Sequence, residues 1–168
     1  MIILGYIGDH KKDGWRARFG WWLVRLVQSG PFKQVTHVEA LLKGDNYKAV
    51  TIGSSSLRDG GVRIKDTDLT PGHWIAVDVP GWNAMDAHFW FISHAAAPYD
   101  WRGAMATILF WMRDVPYEWF CNESVGAPFI QTPDQYTPCR FMALALSMPS
   151  ARIVTPELFN TEGENHAI

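Results

Sequence analysis

The order of elements predicts an α+β domain with helices packed on an antiparallel sheet: a strand, a helix, a run of strands, then helices. Three observations lead there. Short apolar runs, one with strand-like alternation at its start, fill much of residues 35–79. Apolar residues recur at helical spacing before and after that stretch. Gly, Pro, Asp and Asn mark the joins. At 168 residues the chain fits a single domain, 1–168, whose polar tail over 160–168 is expected to fray.

Taken in order, residues 2–7 read as a short buried strand and residues 8–14 as a polar turn. Trp15, Phe19, Trp22, Leu23, Leu26 and Val27 place an amphipathic helix over 15–28, which Gly30 and Pro31 close. Residues 35–42 form a strand on which Thr36, Val38 and Ala40 oppose His37, Glu39 and Leu41. A turn at 43–46 leads to a returning strand at 47–53, and residues 54–61 run through a second turn into a strand at 62–64. A further strand spans 74–79. Helices are predicted over 83–96, with Met85, Phe89, Ile92 and Ala96 in phase, over 101–112 behind an Asp100 cap, from about 119 to 128, and over 139–147.

Composition sets limits on function. Hydrophobic residues make up 48% and charged residues 19%, enough for a core and too apolar for a disordered chain. A net charge of -2 and a pI near 6.3 give no basic footprint for nucleic acid. Nine Trp, nine Phe and five Tyr imply either a core of large side chains or an aromatic groove or docking surface. The apolar start lacks a basic segment and a cleavage site, so no signal peptide is expected and synthesis is expected to be cytoplasmic. No apolar run approaches the ~20 residues of a membrane span. Cys121 and Cys139 are too few for a disulfide framework and lack metal-ligand spacing, so both are expected as reduced thiols.

Cys121 stands at the predicted start of a helix, where unpaired N–H groups favour a thiolate and can serve an oxyanion. Alone, it reads equally as a small buried hydrophobe. His37 stands near the start of a strand, and Glu39 lies on its face, within reach of holding an imidazole tautomer. Separately, these two read as a structural histidine and an exposed strand charge. His88 and His94 are six apart on a helix and do not share a face, which argues against a metal pair. Asp66 and Asp68 read as a solvated loop, and Asp100 and Glu123 as capping or helix-facing residues. No phosphate-binding loop or dinucleotide fingerprint occurs.

Thr36-His37-Val38-Glu39, Arg58-Asp59-Gly60-Gly61-Val62-Arg63, Tyr99-Asp100-Trp101-Arg102-Gly103 and Phe120-Cys121-Asn122-Glu123 together resemble the signature blocks of permuted papain-like NlpC/P60 hydrolases. That group includes the YiiX-like proteins and relatives encoded by bacteriophages. In ordinary NlpC/P60 enzymes the cysteine helix precedes the histidine strand. Here His37 precedes Cys121, as in the circularly permuted branch. The resemblance spans roughly residues 16–127, with one departure: Asn122 stands where a serine is expected.

What the resemblance implies is a circularly permuted papain-like fold and a cysteine peptidase or amidase. Cys121 would be the nucleophile and His37 the base, with no metal or organic cofactor. Many relatives take the third group from the strand after the histidine. That strand offers only Thr51, Ser54 and Ser55 here, so Glu39 fills the role by elimination. The implied substrate is a peptide or peptidoglycan-type amide of the bacterial cell wall. Lipid acyl hydrolysis or transfer stays open, as does a structural tail-tip role among virion tail proteins. Arg58 and Arg63 suggest a basic rim suited to a peptide, whereas Trp101, Trp111 and Trp119 could line an apolar face.

Overall fold

A computed structural model of the protein describes residues 1–8, 22, 28–44, 47–106 and 115–154. Among these residues the chain forms β1 (Ile2–Tyr6), β2 (His37–Lys43), β3 (Val50–Ser56), β4 (Gly61–Thr67), β5 (Trp74–Asp78), α1 (Ala84–Ser93), α2 (Trp101–Ala106), α3 (Cys121–Gly126), α4 (Pro138–Ser147) and β6 (Arg152–Val154), with a single 3-10 turn at Pro133–Gln135. The strands make one antiparallel sheet in the order β4-β3-β2-β1-β5-β6, so the fold is α+β as the sequence predicts.

Alternation along the strands separates two apolar clusters. Ile3, Val38, Ala40, Val62 and Val77 belong to a larger core with Phe91 of α1, Val125 of α3 and Phe141 and Met142 of α4. Leu4, Leu41, Val50, Ile52 and Ala76 belong to a second cluster with Leu69 and Val154. Gly53 marks where α1 comes closest to the sheet, since a Cβ there would lie 2.6 Å from the Phe91 ring.

Several boundaries differ from the sequence reading. The strand expected at 47–53 is Val50–Ser56, three residues later. Residues before it are held as a loop: Tyr47 C=O accepts from Leu69 N–H at 2.6 Å, and Ala49 N–H donates to Asp68 at 2.8 Å with Ala49 at φ 52°. The strand then continues through Ser54, Ser55 and Ser56, all buried, because their polar groups find partners. Its neighbour β4 runs to Thr67, not Ile64. Asp66 therefore sits in a strand, accepting from the Thr51 hydroxyl at 2.6 Å, and neither Asp66 nor Asp68 is a merely solvated loop residue.

Helix α1 corrects the phase assigned to it. Met85, Phe89 and Ile92 are exposed, while Ala87 and Phe91 face the core. Its apolar spacing therefore marks the outer face. Asn83 caps it by accepting from Met85 N–H at 2.9 Å, and it ends at Ser93 rather than at 96. The edge strand β6 and the 3-10 turn were not predicted. Apart from Trp22 and Gln28, the helix expected over 15–28 lies outside the described residues, as do the second half of the one expected over 101–112 and the tail from 160. Among the described residues no helix is long and apolar enough to cross a membrane.

Candidate active site

Cys121 is the first residue of α3, whose first internal bond runs from Ser124 N–H to Phe120 C=O at 3.0 Å. The Cys121 N–H, like any at a helix start, has no acceptor within its own helix. Glu123 accepts from Phe120 N–H at 3.3 Å and so ties down the residue before Cys121, the capping role expected of it. Asp100 caps α2 in the same sense, accepting from Gly103 N–H at 2.7 Å and Val115 N–H at 3.1 Å. Cys121 and Cys139 are both buried free thiols.

Three serines stitch this helix to the sheet. Ser124 donates its hydroxyl to Cys121 C=O at 2.8 Å and accepts from Ser55 N–H at 2.8 Å. Ser55 donates to Trp119 C=O at 2.5 Å, and Ser54 donates to Val38 C=O at 2.7 Å and more distantly to Cys121 C=O at 3.5 Å. The serines of β3 are thus structural ties between the histidine strand and the cysteine helix. Asn122 is fully buried and donates to Tyr136 C=O at 2.7 Å and Pro133 C=O at 3.4 Å, anchoring the segment that leads into α4. A serine hydroxyl is too short to make both bonds, which gives the residue after Cys121 a local reason to be asparagine.

His37, first residue of β2, places Nε2 2.8 Å from Glu39 Oε1. The Cys121 thiol is a hydrogen-bonding neighbour of the same imidazole. His37, Glu39 and Cys121 are therefore brought together from β2 and α3. Burial by itself would push the imidazole down, but the Glu39 carboxylate and then Cys121 outweigh it and hold His37 at about 9. Burial would likewise raise the Glu39 carboxyl, yet His37 and Arg63 bring it down to about 2.

Arg63 is not a free rim cation. Its Nη2 donates to Glu39 Oε1 at 2.5 Å, its Nη1 to Glu39 Oε2 at 2.8 Å and to Ser54 C=O at 3.2 Å, and its Nε to Asp59 Oδ2 at 2.7 Å. Arg58 remains exposed on the turn, the only part of the expected basic rim that faces solvent. The sequence reading missed Arg63 as the partner of Glu39, although its place on β4 puts it opposite Ser54, which bonds back to β2. Tyr99 was also missed as a site neighbour. Burial first, then Cys121 and Asp100, raise its hydroxyl above the ordinary tyrosine range, and its backbone pairs with Trp119, two residues before Cys121.

His94 stacks on Trp90 at 4.1 Å, and Trp90 meets Trp119 edge-on at 4.9 Å, so Trp119 is half-buried in an aromatic cluster. Trp101 is exposed, and Trp111 lies outside the described residues. Among the described residues no group of three or more His, Cys, Asp or Glu is placed to hold a metal ion. Comparison with protein-family models, curated proteins and solved structures returns no match to this chain.

Proposed function

We propose that the chain is a cysteine hydrolase of papain-like type, in the circularly permuted order of the NlpC/P60 group, that cleaves a peptide amide of the cell-wall kind. The observation that carries this reading is the imidazole of His37, bonded to Glu39 at 2.8 Å, with the Cys121 thiol as its other neighbour. Cysteine nucleophiles depend on a nearby base that is itself oriented by a third group.

In the proposed reaction Cys121 Sγ, having given its proton to His37, attacks the carbonyl carbon. A C–S bond forms, and the oxyanion falls to the Cys121 N–H. As the C–N bond breaks, His37 returns the proton to the departing amine. Water, deprotonated by His37, then splits the thioester, releasing the acid and restoring the thiol. Glu39 holds the ring through both steps.

A second reading, release of an acyl chain from lipid, is favoured by exposed Trp101 and Tyr117, each two residues from a site neighbour, Tyr99 and Trp119. Purified protein is to be incubated with peptidoglycan fragments and, separately, with phospholipid. Peptide cleavage lost in Cys121→Ala is expected. Cys121-dependent fatty-acid release without peptide cleavage selects the lipid reading, and no Cys121-dependent product in either arm removes the hydrolase reading.

A further inference from the structure

We infer that Arg63, held in turn by Asp59, is a positioning residue for the proposed reaction: its guanidinium fixes the Glu39 carboxylate in the orientation and ionised state that His37 needs on the acid side of neutrality. This rests on the cysteine-hydrolase reading above.

The geometry is specific. Glu39 Oε1 takes both the His37 Nε2 contact at 2.8 Å and an Arg63 N–H at 2.5 Å, while Oε2 takes a second Arg63 N–H at 2.8 Å. Such a two-pronged grip sets the rotation of the carboxylate as well as its charge. Arg63 cannot swing away, because Asp59 Oδ2 holds Nε at 2.7 Å and Ser54 C=O holds Nη1 at 3.2 Å. Lys65 Nζ, 3.2 Å from the same Asp59 oxygen, steadies that anchor. A bare sheet staple would not need to share the oxygen that faces the histidine.

The charges around Glu39 decide the pH range. From β2 it faces His37, and from β4 Arg63, with Asp59 and Lys65 behind the guanidinium. From β3 the neighbour is the uncharged Ser54. Cys121 of α3 and, beyond it, Tyr99 and Asp100 act on Glu39 only through the imidazole. The Glu39 side chain is 3% exposed, so burial opposes its ionisation and two cations must overcome that cost. With Arg63 removed, His37 alone remains. Glu39 then takes up a proton at higher pH, and a neutral carboxyl no longer holds an imidazolium beside a thiolate. On the alkaline side Glu39 is ionised either way, and His37 sets the limit.

The test is alkylation of Cys121 by iodoacetamide across pH in the full chain, read by mass spectrometry with Cys139 as internal reference, and fold checked by circular dichroism. For Arg63→Gln the acid limb should move to higher pH, so the rate should drop about tenfold where Glu39 of the variant is protonated and that of the wild type is not, and only about twofold near pH 8. Arg63→Lys keeps a cation and loses the fork, so a loss of about threefold on that limb is expected, and it carries the test if Arg63→Gln does not fold. An unshifted profile in the folded variants, or an even loss at every pH, overturns the inference while leaving the hydrolase reading in place. A wild-type Cys121 that reacts only as an ordinary thiol titrating near about 8.5 overturns both.

Discussion

His37 Nε2 and Glu39 Oε1 stand 2.8 Å apart on one face of β2, two residues from each other along the same strand. The contact follows from strand geometry, since residues two apart point the same way. It needs no long-range coincidence. What the rest of the fold adds is the burial that makes the pair interact strongly and the helix that brings Cys121 to it.

Glu39→Gln keeps the shape of the side chain and removes the anion. Turnover should fall by roughly 10²-fold, less than in Cys121→Ala. The His37 imidazole, held at about 9 chiefly against burial by Glu39 and Cys121, should titrate lower, so the alkaline limb of the pH–rate profile moves to lower pH. Turnover and limb both unchanged would assign the orienting role to another group.

Stability should carry the same signature. His37 is raised from 6.5 to about 9, so its contribution is complete below the lower value and is lost as pH rises through the upper one. Glu39 is lowered from 4.5 to about 2, so its contribution is present above the higher value and is lost as pH falls through the lower one. Urea midpoints should therefore be highest between 4.5 and 6.5 and decline towards 9. A flat midpoint over that alkaline range rules out a raised imidazole.

Ser124→Ala probes the stitching of α3 to β3. The hydroxyl bonds Cys121 C=O and Ser55 N–H, both at 2.8 Å, and Ser124 and Ser55 are fully buried. Losing it leaves Ser55 N–H without that acceptor and takes from Cys121 C=O its shorter hydroxyl bond, Ser54 remaining at 3.5 Å, and the expected cost is about 1–3 kcal/mol in denaturant unfolding. Because Cys121 C=O is one of the two, iodoacetamide reactivity of Cys121 should change as well. A loss of stability without any change in reactivity would separate the stitching from the site.

Much of this site was legible in sequence, for local reasons. Alternation put His37 and Glu39 on one face, and a helix expected from about residue 119 put Cys121 near its start, which lies at Cys121 itself. The Arg63–Glu39 fork was not, because it joins β2 to β4 across a third strand and depends on registers that no local pattern fixes. Ser54 and Ser55 looked like the approach to a turn because the partners that hold them in the strand lie 16 to 69 residues away in the chain. The phase of α1 was misread because Met85, Phe89 and Ile92 are apolar yet outward, while a small residue, Ala87, and one aromatic, Phe91, form its inner face.

Asn122→Ser gives this chain the residue expected after the cysteine, and its effect separates packing from chemistry. The Asn122 amide reaches Tyr136 C=O at 2.7 Å and Pro133 C=O at 3.4 Å from a position with no solvent exposure. A serine hydroxyl is shorter and holds at most one of those carbonyls, so about 1–3 kcal/mol of stability should be lost. The segment it anchors leads into α4, whose Phe141 and Met142 lie in the same core as Val125 of α3. Loosening should therefore appear as faster amide exchange over residues 134–136 before it appears elsewhere. The Cys121–His37–Glu39 constellation does not use the Asn122 amide nitrogen. It meets that residue through a weak contact, Cys121 Sγ to Asn122 Oδ1 at 3.8 Å. Turnover per folded molecule should accordingly stay within about threefold of wild type, far inside the 10²-fold expected when a general acid–base group is disturbed. A larger loss at retained fold would mean that Asn122 positions the sulfur, and that the departure at this position belongs to the chemistry of the site.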